Sequence, residues 1–252
     1  MRLLRPATAM ALLALPVVLR AQAAPGPGLP PAESLVARYV LALGGRDAIE
    51  RMPARWERGR VEIPSQGMSI TYELFAAPLR MTMTSEMAGL GTIRSGFDGD
   101  VAWMINPAVG PMILDGTAAQ QLRQSTDPLA MLHAPRYVAS MQTLEEADFG
   151  GAPCYKVRIT TPWNEEYVEY FNRATGLLQG GIRKQASPNG DIEITSVIAE
   201  YREVAGVKLP RVIRAQLMGL ETLNTVDSTQ VRAVPDSVFA LPPEVRALRP
   251  AH

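Results

Sequence analysis

From Arg55 onward the chain alternates apolar and polar positions with period two, and turn residues recur about every ten positions. That rhythm marks half-buried strands. RWERGRVEI reads as a first strand, followed by a turn over 64–67. MSITYELFA sets Ile70, Tyr72 and Leu74 on one side, and LRMTMTSEM turns Met81 and Met83 one way and Thr82 and Thr84 the other. GTIRSGF leads to Asp98-Gly99, a strong hairpin signal. VAWMI then runs to an Asn106-Pro107 turn and PMIL to Asp115-Gly116. Strands resume with YVASMQTLEEA, CYKVRITT, EEYVEYFN, LLQGGIRKQ, DIEITSVIAEYREV, VKLPRVIRAQLMG and ETLNTVDSTQVRAV. The last two are joined by little more than Gly219-Leu220. The ending, PDSVFALPPEVRAL, is rich in proline and reads as extended or turn-like.

Two stretches follow a helical period instead. Residues 33–43 place Leu35, Val36, Tyr39, Val40 and Leu43 at spacings of three and four, one apolar face of a helix, and Gly44-Gly45 stops it. RDAIERM adds a short helical turn ended by Pro53. Residues 117–134 lack alternation and are rich in Ala, Gln and Leu, which predicts a helical excursion with Thr117 as N-cap and Pro128 dividing it in two. About a dozen short strands with few helices mean an antiparallel sheet, and the absence of βαβ alternation excludes a parallel nucleotide-binding sheet. A sheet that wide curls or closes rather than staying flat. The early helix and the 117–134 excursion are the elements available to cover its concave face.

The start of the chain reads as a segment made to be removed. Arg2 and Arg5 precede an apolar run over 7–19, and Ala21-Gln22-Ala23 supplies a small-x-small cleavage pattern. Pro16 and Arg20 interrupt the run before the ~20 apolar residues a membrane span needs. Residues 1–23 are therefore expected to be a signal peptide and 24–32 a flexible Pro/Gly lead-in. A single β domain over 33–245 and a disordered tail over 246–252 are expected to follow. Of 25 basic and 25 acidic side chains the leader holds three basic ones and no acid, so 22 remain against 25, about −3. That balance gives no footprint for nucleic acid and no pull toward anionic lipid. Cys154 is the only cysteine, so no internal disulfide forms, and it is read as a small buried hydrophobe. With no Cys after the cleavage point for an acyl anchor, the mature protein is expected to be soluble.

Candidate chemistry is sparse. His133 and His252 are the only histidines, and neither has a partner at metal-ligand spacing. A packing or capping role is read for His133, and no metal or cofactor is expected. There is no nucleophile elbow, phosphate-cradling glycine loop or HExxH. Glu145/Glu146 and Glu165/Glu166 are adjacent, so on strands they point to opposite faces and read as solvated strand positions. The methionines are the positive signal. Six lie between Met68 and Met112, and Met is over-used at adaptable apolar binding surfaces. With Phe75, Leu90 and Trp103 nearby, Met81, Met83 and Met112 either line a pocket for acyl chains or fill gaps in an ordinary core. Aromatics make up 6% of the chain, few with which to fill the hollow of a curved sheet.

The motifs AAPLRMTMT, GFDGDVAWMINPAVG and DSVFALPPEV, in that order after an N-terminal helix, resemble the periplasmic lipoprotein carriers of the LolA/LolB-like superfamily, which also includes lipid-sensing regulators of envelope stress. LALGGRDAI and YREVAGVKLPRVI are similar to segments of outer-membrane lipoprotein-sorting proteins. The resemblance spans most of residues 33–245. It implies a mainly β fold with minor α, in which a curved antiparallel sheet forms an incomplete β-barrel covered by helices. It also implies an apolar cavity for acyl chains of lipids or lipoproteins and a non-enzymatic, periplasmic carrier. A lipid-sensing module with an envelope membrane protein as partner is the alternative, and an enzyme on the same scaffold comes third. Carriers fasten their helical lid with an arginine just before the proline of the early strand. Here that position is Ala77, and Arg80, three residues on, is the candidate lid contact.

Overall fold

The computed structural model describes residues 28–249 except 53, 88, 90 and 186–191. The expected leader, residues 24–27 of the lead-in, the last three residues of the tail and the candidate site residue Leu90 lie outside the described residues.

The first helical period forms α1 (Ala32–Leu43), which ends at Gly44, and RDAIE forms α2 (Arg46–Glu50). The alternating segments form a first meander: β1 (Arg55–Ile63), β2 (Met68–Ala77), β3 (Arg80–Met87), β4 (Gly91–Phe97), β5 (Ala102–Asn106) and β6 (Gly110–Ile113). After α3 (Gly116–Ser125) a second follows: β7 (Ser140–Phe149), β8 (Ala152–Thr160), β9 (Glu166–Asn172), β10 (Leu178–Gln185), β11 (Ile192–Val204), β12 (Val207–Leu217) and β13 (Leu220–Val231). A short helix, α4 (Pro243–Arg246), lies near the end.

All strands join one 13-stranded sheet in the order 6-5-4-3-2-1-13-12-11-10-9-8-7. Every pairing is antiparallel, and the two meanders meet where β1 pairs with β13. β6 and β7 are its two edges and do not pair with each other, so the curled sheet stays open. Several reversals are two-residue turns with both central residues at positive φ, as at Ala205-Gly206 and Met218-Gly219. Their twist suits adjoining right-twisted strands.

Three local readings need correction. α3 starts at Gly116 with Asp115 at its cap position, not at Thr117, and it is the only α-helix of the 117–134 stretch. Beyond Pro128 there is only a 3-10 turn over Ala130–Leu132. The proline-rich end is not merely extended. It forms a 3-10 turn (Asp236–Phe239) and α4, because Phe239, Leu241 and Val245 find apolar surface to bury against.

The concave face is filled unevenly. α1 lays Leu35 and Val36 on Met141, Val157, Ile159 and Phe171, a compact core over β7–β9. The Tyr39 ring meets Phe171 edge-on at 5.9 Å. Farther along, Val40 and Leu43 pack with Ile49, Leu129 and Val207. α3 packs against β4 and β5, where the Arg123 guanidinium covers the Phe97 ring on β4, and its Gln124 Nε2 donates to the Tyr167 hydroxyl on β9 at 3.1 Å.

Candidate functional site

Residues directly opposite across an antiparallel ladder share a face, so the register identifies what lines the hollow. One row runs Arg55–Ala76–Met81–Phe97–Ala102 from β1 to β5. The next runs Glu57–Leu74–Met83–Ser95–Met104–Met112. A third holds Gly59, Tyr72, Ser85 and Ile93. Gly59 is required there, because a Cβ would stand 2.5 Å from the Tyr72 hydroxyl.

Under these rows α1 supplies less cover, and two adjoining chambers remain. The near chamber, about 410 Å³, lies between Tyr39, Leu43, Ile49 and Met52 on the helical side and Leu74, Ala76, Met81 and Met83 on the sheet. The far chamber, about 380 Å³, continues past Val61, Ile70, Ile213 and Val226. Arg55, Leu74, Met83, Leu209 and Pro210 line both. Each volume is in the range of small-molecule sites, and the walls are mostly apolar. A larger depression of about 640 Å³ opens at the ends of β9 and β10. It sets Arg158, Arg183 and Lys184 against Glu165, Glu166 and Glu193. Trp163, Tyr167, Val168 and Ile182 also line it, but six charged side chains share that wall, so the more apolar trough is the better candidate for an oily guest.

Two polar pairs interrupt the oily wall. Arg55 Nε donates to Glu57 Oε1 at 2.7 Å, and the Glu57 carboxylate is nearly inaccessible at 10% exposure. Farther in, the Tyr72 hydroxyl donates to Asn224 Oδ1 at 3.0 Å. Burial, with Glu57 nearby, pushes the Tyr72 phenol up to about 12. Under α1 the buried Glu169 carboxylate lies 3.1 Å from the Arg183 guanidinium, which stacks on the Tyr167 ring. Burial still holds that carboxyl above the usual carboxylate range.

The candidate residues divide. Met81 and Met83 line the trough together. Met112 shares the Met83 row, but at the edge strand and outside both chambers. Phe75 and Trp103 face the other way. Phe75 stands opposite Thr82, Thr82 opposite Gly96, and Gly96 opposite Trp103, all on the convex face. There the Trp103 indole lies on Gly96, which has no side chain to displace it, and Leu241 and Val245 cover it to 1% exposure. Arg80 holds the C-terminal segment by an ion pair to Asp236 at 2.9 Å and a stack on Phe239, not a helical lid.

His133 Nδ1 lies 2.6 Å from Asp127 Oδ2, which anchors the loop after α3. Glu145 pairs with Lys156 and Glu146 with Arg173. Glu165 accepts from Gln121 and Trp163. Cys154 is fully buried, and burial pushes its thiol up, away from the reactive thiolate. Among the described residues no group of three His, Cys, Asp or Glu could hold a metal ion, and no helix is long and apolar enough to cross a membrane. Sequence reading missed Arg55, Glu57, Leu209 and Pro210. The alternation of RWERG was the available signal, because it puts Arg55 and Glu57 on one face.

An open antiparallel sheet wrapped around helices, hollow on part of its concave side, is the LolA/LolB-like fold. The chain is similar to a LolA superfamily protein of Nitrosomonas europaea (TM-score 0.57, 15% identity, 84% of this chain and 99% of that one). A DUF1329 family protein of Desulfovibrio piger superposes with TM-score 0.58 at 10% identity, over 84% of this chain and 98% of that one. A putative outer membrane lipoprotein-sorting protein domain of Vibrio parahaemolyticus gives 0.52 at 8%, over 81% and 97%. No protein-family model matches the chain, and no curated protein matches it in sequence.

Proposed function

We propose that the trough binds acyl chains of lipids or lipoproteins, and that the protein is a non-enzymatic carrier exported to the periplasm by residues 1–23. One observation carries this reading. α1 fills the concave face over β7–β9, but two adjoining, mostly apolar chambers that share five wall residues lie beneath β1–β3, β12 and β13. A long, flexible hydrocarbon matches such a trough better than a compact metabolite does. Burial contributes roughly 0.8 kcal/mol per methylene, so about ten methylenes supply ~8 kcal/mol toward the cost of association, and each further methylene adds to it. Met81 and Met83 suit such a wall because their unbranched side chains adapt to variable chains. The fold shared with a LolA superfamily protein and a lipoprotein-sorting domain supports a carrier. Native mass spectrometry of gently purified protein tests it. The expected result is a population heavier than the apo chain by lipid masses that organic extraction removes. Apo mass alone, persisting after incubation with membrane lipid, would contradict it.

A further inference from the structure

We infer that the trough selects acyl ligands bearing an acidic group, and that Arg55 is its seat, an inference that rests on the acyl-chain reading above. Arg55 lies at the junction of the two chambers. Its Nε is held by the buried Glu57, which fixes the guanidinium plane. Its two terminal amino groups have no hydrogen-bond partner among the described residues. They form a planar fork of donors matched to carboxylate or phosphate oxygens.

The surrounding charge agrees. Among the described residues the near chamber is lined by three cations, Arg55, Arg80 and Lys208, and by no carboxylate. This occurs in a chain with no overall excess of base. Arg80 is engaged by Asp236 outside the chamber and Lys208 is exposed, alternating with the inward-facing Val207 and Leu209, which leaves Arg55 to face a guest. An ion pair in an oily wall is costly to desolvate, and apolar residues of similar size are often as stable or more so. Its presence here therefore calls for a role that packing does not supply. With the acidic group on Arg55, the acyl chain extends beneath Leu74 and Met83 into the far chamber.

The test uses purified protein loaded with N-phenyl-1-naphthylamine, a neutral fluorescent reporter, and three competitors sharing one chain: hexadecanoate, hexadecyl phosphate and hexadecanol. All are kept below their micelle-forming concentrations. The expected result is displacement by at least one acid at a concentration about tenfold or more below that of the alcohol, as a charge-assisted hydrogen bond provides. The more effective acid tells a free fatty acid from a phosphorylated lipid. In the Arg55→Met/Glu57→Met double variant, which leaves no unpaired charge behind, the acid-to-alcohol ratio falls to near one. Equal displacement by all three in the wild type overturns the inference even if the double variant fails to fold, and so does a ratio that survives in a folded double variant. Failure of the reporter to bind, or of every competitor to displace it, overturns the acyl-chain reading itself.

Discussion

Gln124 on α3 and Tyr167 on β9 are joined by a buried hydrogen bond of 3.1 Å that ties the helix following the first meander to the second. The pair works as a clasp. α3 follows β6, Tyr167 belongs to the second meander, and no strand pairing connects β6 to β7. Among the described residues the Gln124 Oε1 has no partner, so the amide depends on Tyr167 for its one bond. Tyr167→Phe is expected to cost about 1–3 kcal/mol, because it leaves the buried amide unsatisfied. Gln124→Met/Tyr167→Phe recovers part of that. Urea unfolding of both variants checks the cycle, and equal stability of all variants would show the clasp to be idle.

The convex-face position of Trp103 separates stability from binding. Trp103→Ala removes a side chain that is 1% exposed beneath Leu241 and Val245 and should cost about 3–5 kcal/mol. Reporter uptake per folded molecule stays unchanged, because the indole never reaches the trough. Met81→Asp/Met83→Asp should do the reverse and abolish uptake, while circular dichroism at low temperature still shows the sheet.

The C-terminal segment is held to the convex face chiefly by burial. Phe239 is 2% exposed, so Phe239→Ala is expected to lower stability by about 3–5 kcal/mol. The Arg80–Asp236 pair is largely in water, with the Asp236 side chain 85% exposed, and Asp236→Asn should cost less than about 1 kcal/mol. Thermal denaturation ranks the two, and a larger loss from Asp236→Asn would contradict this order.

Alkaline pH should unfold the protein through its tyrosines. Burial raises the phenols of Tyr39, Tyr72, Tyr137, Tyr167 and Tyr201 above their ordinary value. A raised acid keeps its proton in the folded state where the unfolded chain, near 10, has lost it. Unfolding then releases protons, so stability is full below about pH 10 and declines as pH rises through the raised values, about 12 for Tyr72. Ultraviolet titration should show these phenols ionising together with loss of the fold. Independent ionisation at ordinary values in folded protein would contradict it.

Much of the strand plan was legible, because a half-buried strand must alternate. The same alternation held information that sequence reading did not use. With Ile70, Tyr72 and Leu74 on one side, Phe75 belongs on the other. Across the Asp98-Gly99 loop Phe97 pairs with Ala102, so Met104 joins Met83 and Trp103 turns away. Grouping Phe75 and Trp103 with the methionines followed size, where parity decides. The helical end of the chain was illegible for another reason. DSVFALPPEV has too few residues for a helical period, and its turns form because a distant convex face offers apolar cover. The trough wall was hidden as well, since Leu209 and Pro210 reach Arg55 only once β13 pairs with β1.

The most direct test of the half-filled concave face is equilibrium titration with cis-parinaric acid, a fatty acid that fluoresces when sheltered from water. Saturable uptake is expected of the wild-type protein, and its loss is expected in the folded Met83→Asp variant, whose new carboxylate stands on a wall shared by both chambers. Absence of saturable uptake, or uptake that Met83→Asp leaves intact, would contradict it.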